Sequence, residues 1–184
     1  MKILSLFCHA DAFQERLKQI RPKLYRVAFS WSHNSALADD LVQEALIKAL
    51  KSRNQLRDEA KTTGWLFSIL ANCWRDHFRQ NRAMEDIDEL EDFCCVDDAD
   101  PERDHAQSQI ATRVLEAVAR LPVGQRQVLT LVDLEEFSYV EVAGILDIPV
   151  GTVMSRLCRA RQSLKLHLKE FAPEQPARQI RRVI

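Results

Sequence analysis

A block of acidic residues divides this chain of 184 residues into two parts. Residues 85–104 carry eleven acidic side chains and one basic side chain, Arg103, which gives a balance of −10. This charge density opposes compact packing, and Pro101 interrupts helix continuation, so we interpret residues 85–105 as a flexible interdomain linker. The chain is therefore predicted to contain two modules and a basic C-terminal tail, at residues 1–84, 106–171 and 172–184.

The net charge of −1 conceals this division. Residues 1–84 contain fourteen basic and eight acidic side chains, a balance of +6, and residues 105–184 contain eleven and eight, a balance of +3. Two basic segments therefore flank an acidic connector, and near-neutrality excludes only strong unaided affinity for nucleic acid. A hydrophobic content of 46% excludes a chain that is disordered throughout.

Apolar residues in the first module recur at spacings of three and four, which predicts helices. The first helix buries Phe13, Leu17, Ile20, Leu24, Val27 and Trp31, and Pro22 is expected to kink it or divide it. The second is predicted to start near Ser35 as its N-cap. Its polar face carries Asp40, Glu44 and Lys48, and its buried stripe consists of Leu41, Val42, Ala45, Leu46, Ala49 and Leu50.

A third helix is predicted after the polar loop at residues 57–64. Its outer face carries Asn72, Arg75 and Arg79, and its inner face consists of Trp65, Leu66, Ile69, Leu70, Cys73, Trp74 and Phe78. The second module also has helical spacing, first in Val114, Leu115, Val118 and Leu121, and after Pro122 in Val128, Leu129, Leu131 and Val132. Because no convincing period-two strand occurs anywhere, the predicted fold is all-α, with two small helical domains.

Residues 138–164 have the pattern of a helix-turn-helix. Ser138 and Glu141 form the S-x-x-E pattern of a capping box at the start of a helix over residues 139–146. Residues 147–149 supply a tight turn, in which Pro149 is placed to begin a new helix. The apolar residues of the two helices are Val142, Ile145 and Leu146, then Val150, Val153, Leu157, Ala160 and Leu164.

The outer face of the second of these helices predicts DNA binding. Gly151 and Thr152 allow the start of this helix to enter the major groove, where Ser155 and Arg156 can reach base edges. Arg159 and Arg161 can neutralise phosphates. The alternative interpretation is a helical hairpin whose basic face is simply solvated.

The residues from Phe137 to Arg161, with Leu121–Leu129 before them, resemble region 4 of extracytoplasmic-function (ECF) sigma factors, a subfamily of the sigma-70 family. Residues 40–50 (DLVQEALIKAL) and 64–72 (GWLFSILAN) resemble region 2 of the same family. The resemblance extends from about Phe13 to Leu168. Two motifs in this order, separated by an acidic linker, are more specific than either motif alone.

The resemblance implies a dissociable subunit of bacterial RNA polymerase that directs the core enzyme to promoter DNA. In this family region 2 binds core polymerase and opens the minus-ten element, and region 4 reads the minus-thirty-five element as duplex. By matching position, the core contacts are Asp40, Gln43, Glu44 and Lys48. Without the family, these residues would be interpreted as a solvated helix face with a Glu44–Lys48 ion pair.

Matching positions in the same way, the resemblance implies that the minus-ten strand is contacted by six residues. They are Lys61, Thr62, Thr63, Asn72, Arg75 and Arg79. Trp65 and Trp74 are candidates for base stacking, although their place in the apolar stripe favours a core role. The chain departs from the family pattern at Met154, where Lys or Arg is usual, at Cys158, where His is common, and at Leu56 and Thr62, where aromatics are common. These departures affect the expected promoter sequence and melting efficiency.

Other chemistry has weaker support. Cys73 and His77 are one helical turn apart, and Cys94, Cys95 and His105 lie in or beside the linker, but neither group has four metal ligands at a recognised spacing. Core packing for Cys73 and unspecialised linker composition for the others are favoured. We expect no cofactor, no metal, no enzymatic activity and no membrane insertion, and the unpaired cysteines are typical of a cytoplasmic protein.

The resemblance therefore implies an alternative sigma factor whose partners are core RNA polymerase, promoter DNA and an anti-sigma factor. Two alternatives remain open from the sequence. One is a stand-alone transcriptional regulator that binds an operator through the helix-turn-helix. The other is a non-initiating, sigma-like interaction protein, which the departures at Met154 and in the minus-ten loop leave open.

Overall fold

The computed structural model describes residues 2–56, 58, 61–84 and 105–170, and the side chains of 13–54, 56, 58, 61–79 and 112–168. Every regular element in these ranges is a helix, so the predicted all-α fold is confirmed. Within them no helix has both the length and the apolarity needed to cross a membrane. Outside the described residues lie linker residues 85–104, Cys94 and Cys95, and the tail at 172–184.

The first helix, α1, runs without interruption over Lys2–Ser32. The six apolar residues predicted for its inner face are all buried, from Phe13 to Trp31. Pro22 lies inside the helix with an exposed side chain and does not divide it. Since proline removes one backbone donor but the apolar face is buried on both sides of it, packing against the neighbouring helices holds α1 together.

A two-residue corner separates α1 from α2, which spans Ser35–Lys51. His33 adopts a left-handed conformation with φ of 48° and donates its backbone N–H to the carbonyl of Phe29 over 2.7 Å. Asn34 caps α2, because its side-chain oxygen accepts a hydrogen bond from the backbone N–H of Leu37 at 2.9 Å. The predicted N-cap at Ser35 was therefore wrong by one residue.

One face of α2 packs against α1 and α3 through Leu41, Val42, Ala45 and Ala49. Leu50, predicted to be buried with them, is 49% exposed. The apolar stripe of α2 is thus narrower than the sequence pattern indicated, because only one side of the helix faces neighbouring helices.

A 3₁₀ turn at Arg53–Gln55 precedes α3, which spans Thr62–Met84. Of the predicted inner face, Leu66, Leu70, Cys73 and Trp74 are buried, Trp65 and Ile69 are half-buried, and Phe78 is 40% exposed. Phe67 is fully buried as well, although it lies off the predicted stripe. The second module covers it, since α3 contacts both α2 and the later helix at Tyr139–Leu146.

The second module contains α4 (His105–Ala119), α5 (Val123–Leu129), a π-helical turn (Thr130–Leu134), α6 (Tyr139–Leu146) and α7 (Val150–Glu170). On α4 the predicted apolar residues Val114 and Leu115 are 37% and 43% exposed, whereas Ala117 is fully buried. The inner side of α4 thus uses a small residue where the helix approaches α7 and α1. The sequence pattern favoured the larger side chains and was wrong at these two positions.

The two modules share one continuous apolar core. The ring of Phe67 meets the ring of Phe137 edge-on, with centroids 5.1 Å apart. Arg26 forms an ion pair of 2.8 Å with Glu135, whose side chain is only 2% exposed. Helix α6 also contacts α3, so in this arrangement the helix-turn-helix lies directly against the first module.

Candidate nucleic-acid interface

The four residues predicted to contact core polymerase lie along the outer side of α2. Asp40, Gln43 and Glu44 are exposed and Lys48 is half-buried. The Lys48 Nζ lies 2.8 Å from a carboxylate oxygen of Glu44 and 3.4 Å from one of Asp76. The hydrogen bond with Glu44 is the main cause that raises the pKa of Lys48. The face therefore presents acidic groups, with its one lysine engaged between two carboxylates.

Apolar side chains interrupt this polar face. Ile47, which follows Gln43 and Glu44 by four and three residues, is 50% exposed. Leu50 is similarly exposed one turn further along. Sequence reasoning missed both residues, although the spacing of Ile47 from its polar neighbours was a usable signal. An exposed apolar patch rimmed by charged residues is typical of a protein-binding surface.

A groove of about 770 Å³ lies where α2 faces α3. It contains three of the six residues predicted to meet the minus-ten strand, together with Trp65 on its wall. Its charged groups are three cations and one carboxylate. The full lining is Lys48, Ser52, Trp65, Ser68, Ile69, Asn72, Arg75, Asp76 and Arg79.

Local hydrogen bonds orient the two arginines of this groove. Arg75 donates from Nη2 to the side-chain oxygen of Asn72 at 2.5 Å, and Arg79 donates from Nη2 to Asp76 at 3.1 Å. Arg75 also reaches the second module, because its Nη1 lies 4.0 Å from the Asp147 carboxylate in the turn of the helix-turn-helix. The predicted minus-ten surface thus contacts the turn of the helix-turn-helix, which precedes the predicted reading helix.

The predicted minus-ten loop differs from expectation at its centre. Helix α3 already begins at Thr62, so the predicted loop at 57–64 is shorter than expected. As a result the Thr62 side chain is buried, with only 1% exposed, and is not available to a nucleic-acid strand in this structure. Lys61 is exposed, with Nζ 3.8 Å from Asp58, and Thr63 is half-buried.

The two tryptophans of α3 have different surroundings. Trp74 is 3% exposed and meets the ring of Trp31 edge-on at 5.8 Å, which is a core position. Trp65 is half-buried and offers part of its ring to the groove.

Cys73 is fully buried, and burial raises the pKa of its thiol, as core packing requires. No cluster of three or more metal-ligating residues occurs within the described part of the chain.

The helix-turn-helix has the boundaries that the sequence predicted. Ser138 Oγ accepts a hydrogen bond from the backbone N–H of Glu141, and the Glu141 carboxylate accepts one from the backbone N–H of Ser138 at 2.9 Å. Hydrogen bonding from Ser138 also lowers the pKa of Glu141. After α6, Asp147 turns the chain with φ of 55°, and α7 begins at Val150. The capping box and the turn are therefore confirmed.

The predicted reading residues of α7 fall into two groups. Ser155 and Arg159 are exposed and Thr152 is half-buried, on the side away from the core residues Val153, Leu157 and Ala160. Val150, predicted to be buried, is 38% exposed because it occupies the first position of the helix, beyond the edge of the core.

The other two arginines of α7 lie at the edges of this face. Arg161 forms a two-point ion pair with Asp133, with separations of 2.6 Å from Nη2 and 3.2 Å from Nε. Arg156 is half-buried and lies against α5 near Gly124. Sequence reasoning missed both contacts, because the partner residues are about thirty positions away and belong to other helices.

Comparison with known proteins identifies the family of this chain. Residues 17–84 match the family model described as Sigma-70 region 2, and residues 111–164 match the model described as Sigma-70, region 4. The ECF RNA polymerase sigma factor EcfG of Rhodopseudomonas palustris is 32% identical over 177 residues, covering 92% of this chain and 95% of that protein. The ECF RNA polymerase sigma factor SigE of Mycolicibacterium smegmatis is 31% identical over 89% of this chain, which spans 64% of the length of SigE.

A solved structure agrees as well. The sigma factor RpoE from Bartonella quintana, in complex with the anti-sigma factor NepR, aligns with a TM-score of 0.69 and 27% identity. The alignment covers 86% of this chain and 97% of that one. Two family models in the expected order, relatives of this similarity and a shared fold lead to one conclusion: this chain belongs to the ECF subfamily of RNA polymerase sigma factors.

Proposed function

We propose that the protein is an alternative sigma factor that binds core RNA polymerase, directs it to specific promoters and supports transcription initiation. The observation that carries this proposal is the pairing of a cationic groove on the region 2 module with a capped helix-turn-helix on the region 4 module. Each of these surfaces suits one promoter element. The protein itself catalyses no reaction under this proposal and acts in the cytoplasm, where core polymerase and promoter DNA meet.

Core polymerase binds the outer face of α2, through Asp40, Gln43, Glu44 and Lys48. The exposed side chain of Ile47 lies among them and supplies apolar area, which polar contacts alone do not provide. The Glu44–Lys48 ion pair is exposed and contributes little to stability, on the order of a few tenths of a kcal/mol. A binding role therefore explains this face better than a role in folding.

The minus-ten strand enters the groove where α2 faces α3. Asn72, Arg75 and Arg79 offer hydrogen-bond donors to bases and phosphates, and Lys61 and Thr63 lie at the start of α3. A base that leaves the stack needs a polar pocket and an aromatic surface. The partly exposed ring of Trp65 supports a stacking role for this tryptophan, whereas the burial of Trp74 argues against one.

Helix α7 enters the major groove of the minus-thirty-five duplex. Thr152, Ser155 and Arg156 read base edges and Arg159 contacts phosphate. Arg161 joins them only when it leaves Asp133, because a carboxylate at 2.6 Å already neutralises its charge. Replacement of Arg156 by Ala is expected to weaken minus-thirty-five recognition by about 1–3 kcal/mol. An equal loss of affinity for all DNA sequences would indicate that Arg156 contacts phosphate instead.

The minus-ten and minus-thirty-five elements cannot be bound at the same time in the arrangement described here. The two promoter elements are centred about 25 base pairs apart, which is about 85 Å of duplex. Arg75 of the proposed minus-ten surface lies 4.0 Å from Asp147, in the turn that precedes the proposed reading helix α7. The twenty residues between Met84 and His105 span at most about 70 Å when extended. The modules must therefore separate on promoter DNA, and the linker together with the modules covers the distance.

An anti-sigma factor is the expected regulator. The Bartonella quintana relative of the same fold was solved as a complex with an anti-sigma factor, which supports a partner of this class for the present chain. Such a partner would oppose the separation of the modules by binding both of them. It would thereby keep the groove and α7 away from DNA.

Run-off transcription with purified core polymerase tests the proposal. Promoter-specific transcripts that require this protein are expected. Core binding without any transcript would favour a non-initiating, sigma-like interaction protein. Binding to an operator duplex in the absence of polymerase, without transcripts, would favour a stand-alone regulator. Genomic run-off templates with start-site mapping would then define the promoter sequence.

A further inference from the structure

The guanidinium group of Arg156 occupies space that a side chain at position 124 would fill. A Cβ atom built on Gly124 would lie 3.0 Å from Nη1, 3.1 Å from Cζ and 3.4 Å from Nε of Arg156. The group thus rests on the backbone at the start of α5. At Gly64, Gly144 and Gly151 the same construction meets nothing within 4 Å, so the relationship is particular to Gly124 among the four glycines.

Backbone conformation does not account for a glycine at this position. Gly124 lies in the first turn of α5, and no glycine in the described residues has a positive φ. Glycine is a weaker helix former than alanine, so helix stability gives no reason for glycine here. Because glycine has no side chain, it leaves space beside α5, and the guanidinium group of Arg156 occupies that space.

The contact restricts a side chain that is otherwise long and mobile. Arg156 is half-buried, whereas Arg159, one turn further along the same helix, is exposed. An arginine reads a base through a planar, two-point contact, so the orientation of its guanidinium matters as much as its charge. A side chain already held in one region of space loses less entropy when it binds.

We propose that Gly124 is a positioning residue for Arg156 in recognition of the minus-thirty-five element. The inference rests on the proposed function of α7 as the DNA-reading helix. Gly124 touches no DNA in this scheme and acts only by leaving the space in which the guanidinium lies. Replacement by alanine displaces the far end of a flexible side chain, so the protein still folds and only the position of Arg156 changes.

The test uses holoenzyme, reconstituted from core polymerase and the full chain, on a promoter duplex mapped by run-off transcription. Base pairs of the minus-thirty-five element are replaced one at a time. Gly124→Ala is expected to lower affinity about threefold to tenfold and to relax the same base preferences that Arg156→Ala relaxes. Gly144→Ala, a glycine-to-alanine change in open space on α6, is the matched control and is expected to leave the preferences unchanged.

A double-mutant cycle separates positioning from any other effect of the alanine. In the Arg156→Ala background, Gly124→Ala is expected to have no further effect on DNA binding. An equal effect of Gly124→Ala with and without Arg156 would overturn the proposal. Loss of thermal stability in Gly124→Ala to a degree that explains the weaker binding would overturn it too.

A measurement on the free protein, without DNA, tests the position of the Arg156 side chain separately from the proposed DNA-reading function. The side-chain Nε–H resonance of Arg156 in the free protein should shift in Gly124→Ala and remain unchanged in Gly144→Ala. An unshifted resonance with an additive cycle would overturn the positioning role alone. If Arg156→Ala left minus-thirty-five binding intact while the resonance shifted, the DNA-reading role of Arg156 would fail together with the proposal.

Discussion

Arg126 of the second module donates a hydrogen bond from Nη1 to the backbone carbonyl of Trp31, at the end of α1, over 2.8 Å. Its Nη2 also donates to the carbonyls of Ala119, the last residue of α4, and of Leu121, just beyond the end of that helix. The residue is only 4% exposed. One buried guanidinium therefore satisfies carbonyl groups at two helix ends that belong to different modules.

Replacement of Arg126 by alanine should destabilise the protein markedly. The change leaves the carbonyls of Trp31, Ala119 and Leu121 without these donors, and we expect the free energy of unfolding to fall by about 3 kcal/mol. Urea denaturation followed by circular dichroism measures the loss. Lys23→Ala, an exposed change on α1, should stay within about 0.5 kcal/mol of the parent. A similar small change in Arg126→Ala would contradict the structural role.

The stability of the protein should fall as the pH decreases from 7 to 5. Burial of His33, and secondarily the charge of Arg126, lowers the pKa of His33 from 6.5 to about 4. Below pH 6.5 the unfolded chain therefore binds a proton that the folded protein does not, and the loss ends near pH 4. We expect His33 to contribute about 1–2 kcal/mol of this change.

The variant His33→Asn isolates the contribution of this histidine. Asparagine tolerates the left-handed backbone of position 33, with its φ of 48°, and does not titrate in this range. Urea titrations of both proteins at pH 7 and pH 5 provide the comparison. Equal pH dependence in the two proteins would mean that other groups cause the effect.

Truncation of Phe137 should loosen the contact between the modules. The ring of Phe137 meets the fully buried ring of Phe67, and its removal should weaken the contact by about 2 kcal/mol. Small-angle X-ray scattering should show a larger radius of gyration for Phe137→Ala. Val140→Ala, at a position on α6 that is 71% exposed, is the control and should leave it unchanged. Identical scattering from all three proteins would contradict the prediction.

Removal of the charge on Asp133 should strengthen DNA binding. Without the Asp133 carboxylate, Arg161 can turn its charge to phosphate, so Asp133→Asn should raise affinity about threefold and steepen the salt dependence by about one unit of slope. Glu136→Gln removes the same charge three residues away and outside this ion pair. Binding of a promoter duplex by holoenzyme over a salt series distinguishes the two. Matching changes in both variants would show that net charge alone is responsible.

Replacement of Ile47 by serine should weaken binding to core polymerase about tenfold. The side chain is 50% exposed, so folding stability should change by less than about 1 kcal/mol. Competition for core polymerase against the parent protein measures the affinity. Val114→Ser, a comparable exposed apolar change on α4, is the control. Unaltered competition by Ile47→Ser would remove this residue from the proposed core-binding face.

Features that depend on neighbours in the chain could be predicted from the sequence. The capping box of Ser138 and Glu141, the turn at Asp147 and the core positions of α6 all depend on residues within a few positions of one another. Sequence reasoning placed them correctly for that reason. It was less accurate for the width of each apolar face, as the exposure of Leu50 and Val114 demonstrates, because that width depends on which helices pack nearby.

The sequence by itself therefore determined an all-α chain with a helix-turn-helix and two basic segments around an acidic one. Tertiary structure alone decided how the two modules pack against each other. The partners in the Arg126–Trp31, Arg26–Glu135 and Arg161–Asp133 contacts are 95, 109 and 28 residues apart. No local pattern encodes such pairs, because they form only when separate apolar faces pack into one core. That packing sets which arginines are engaged within the protein and which remain exposed on α7.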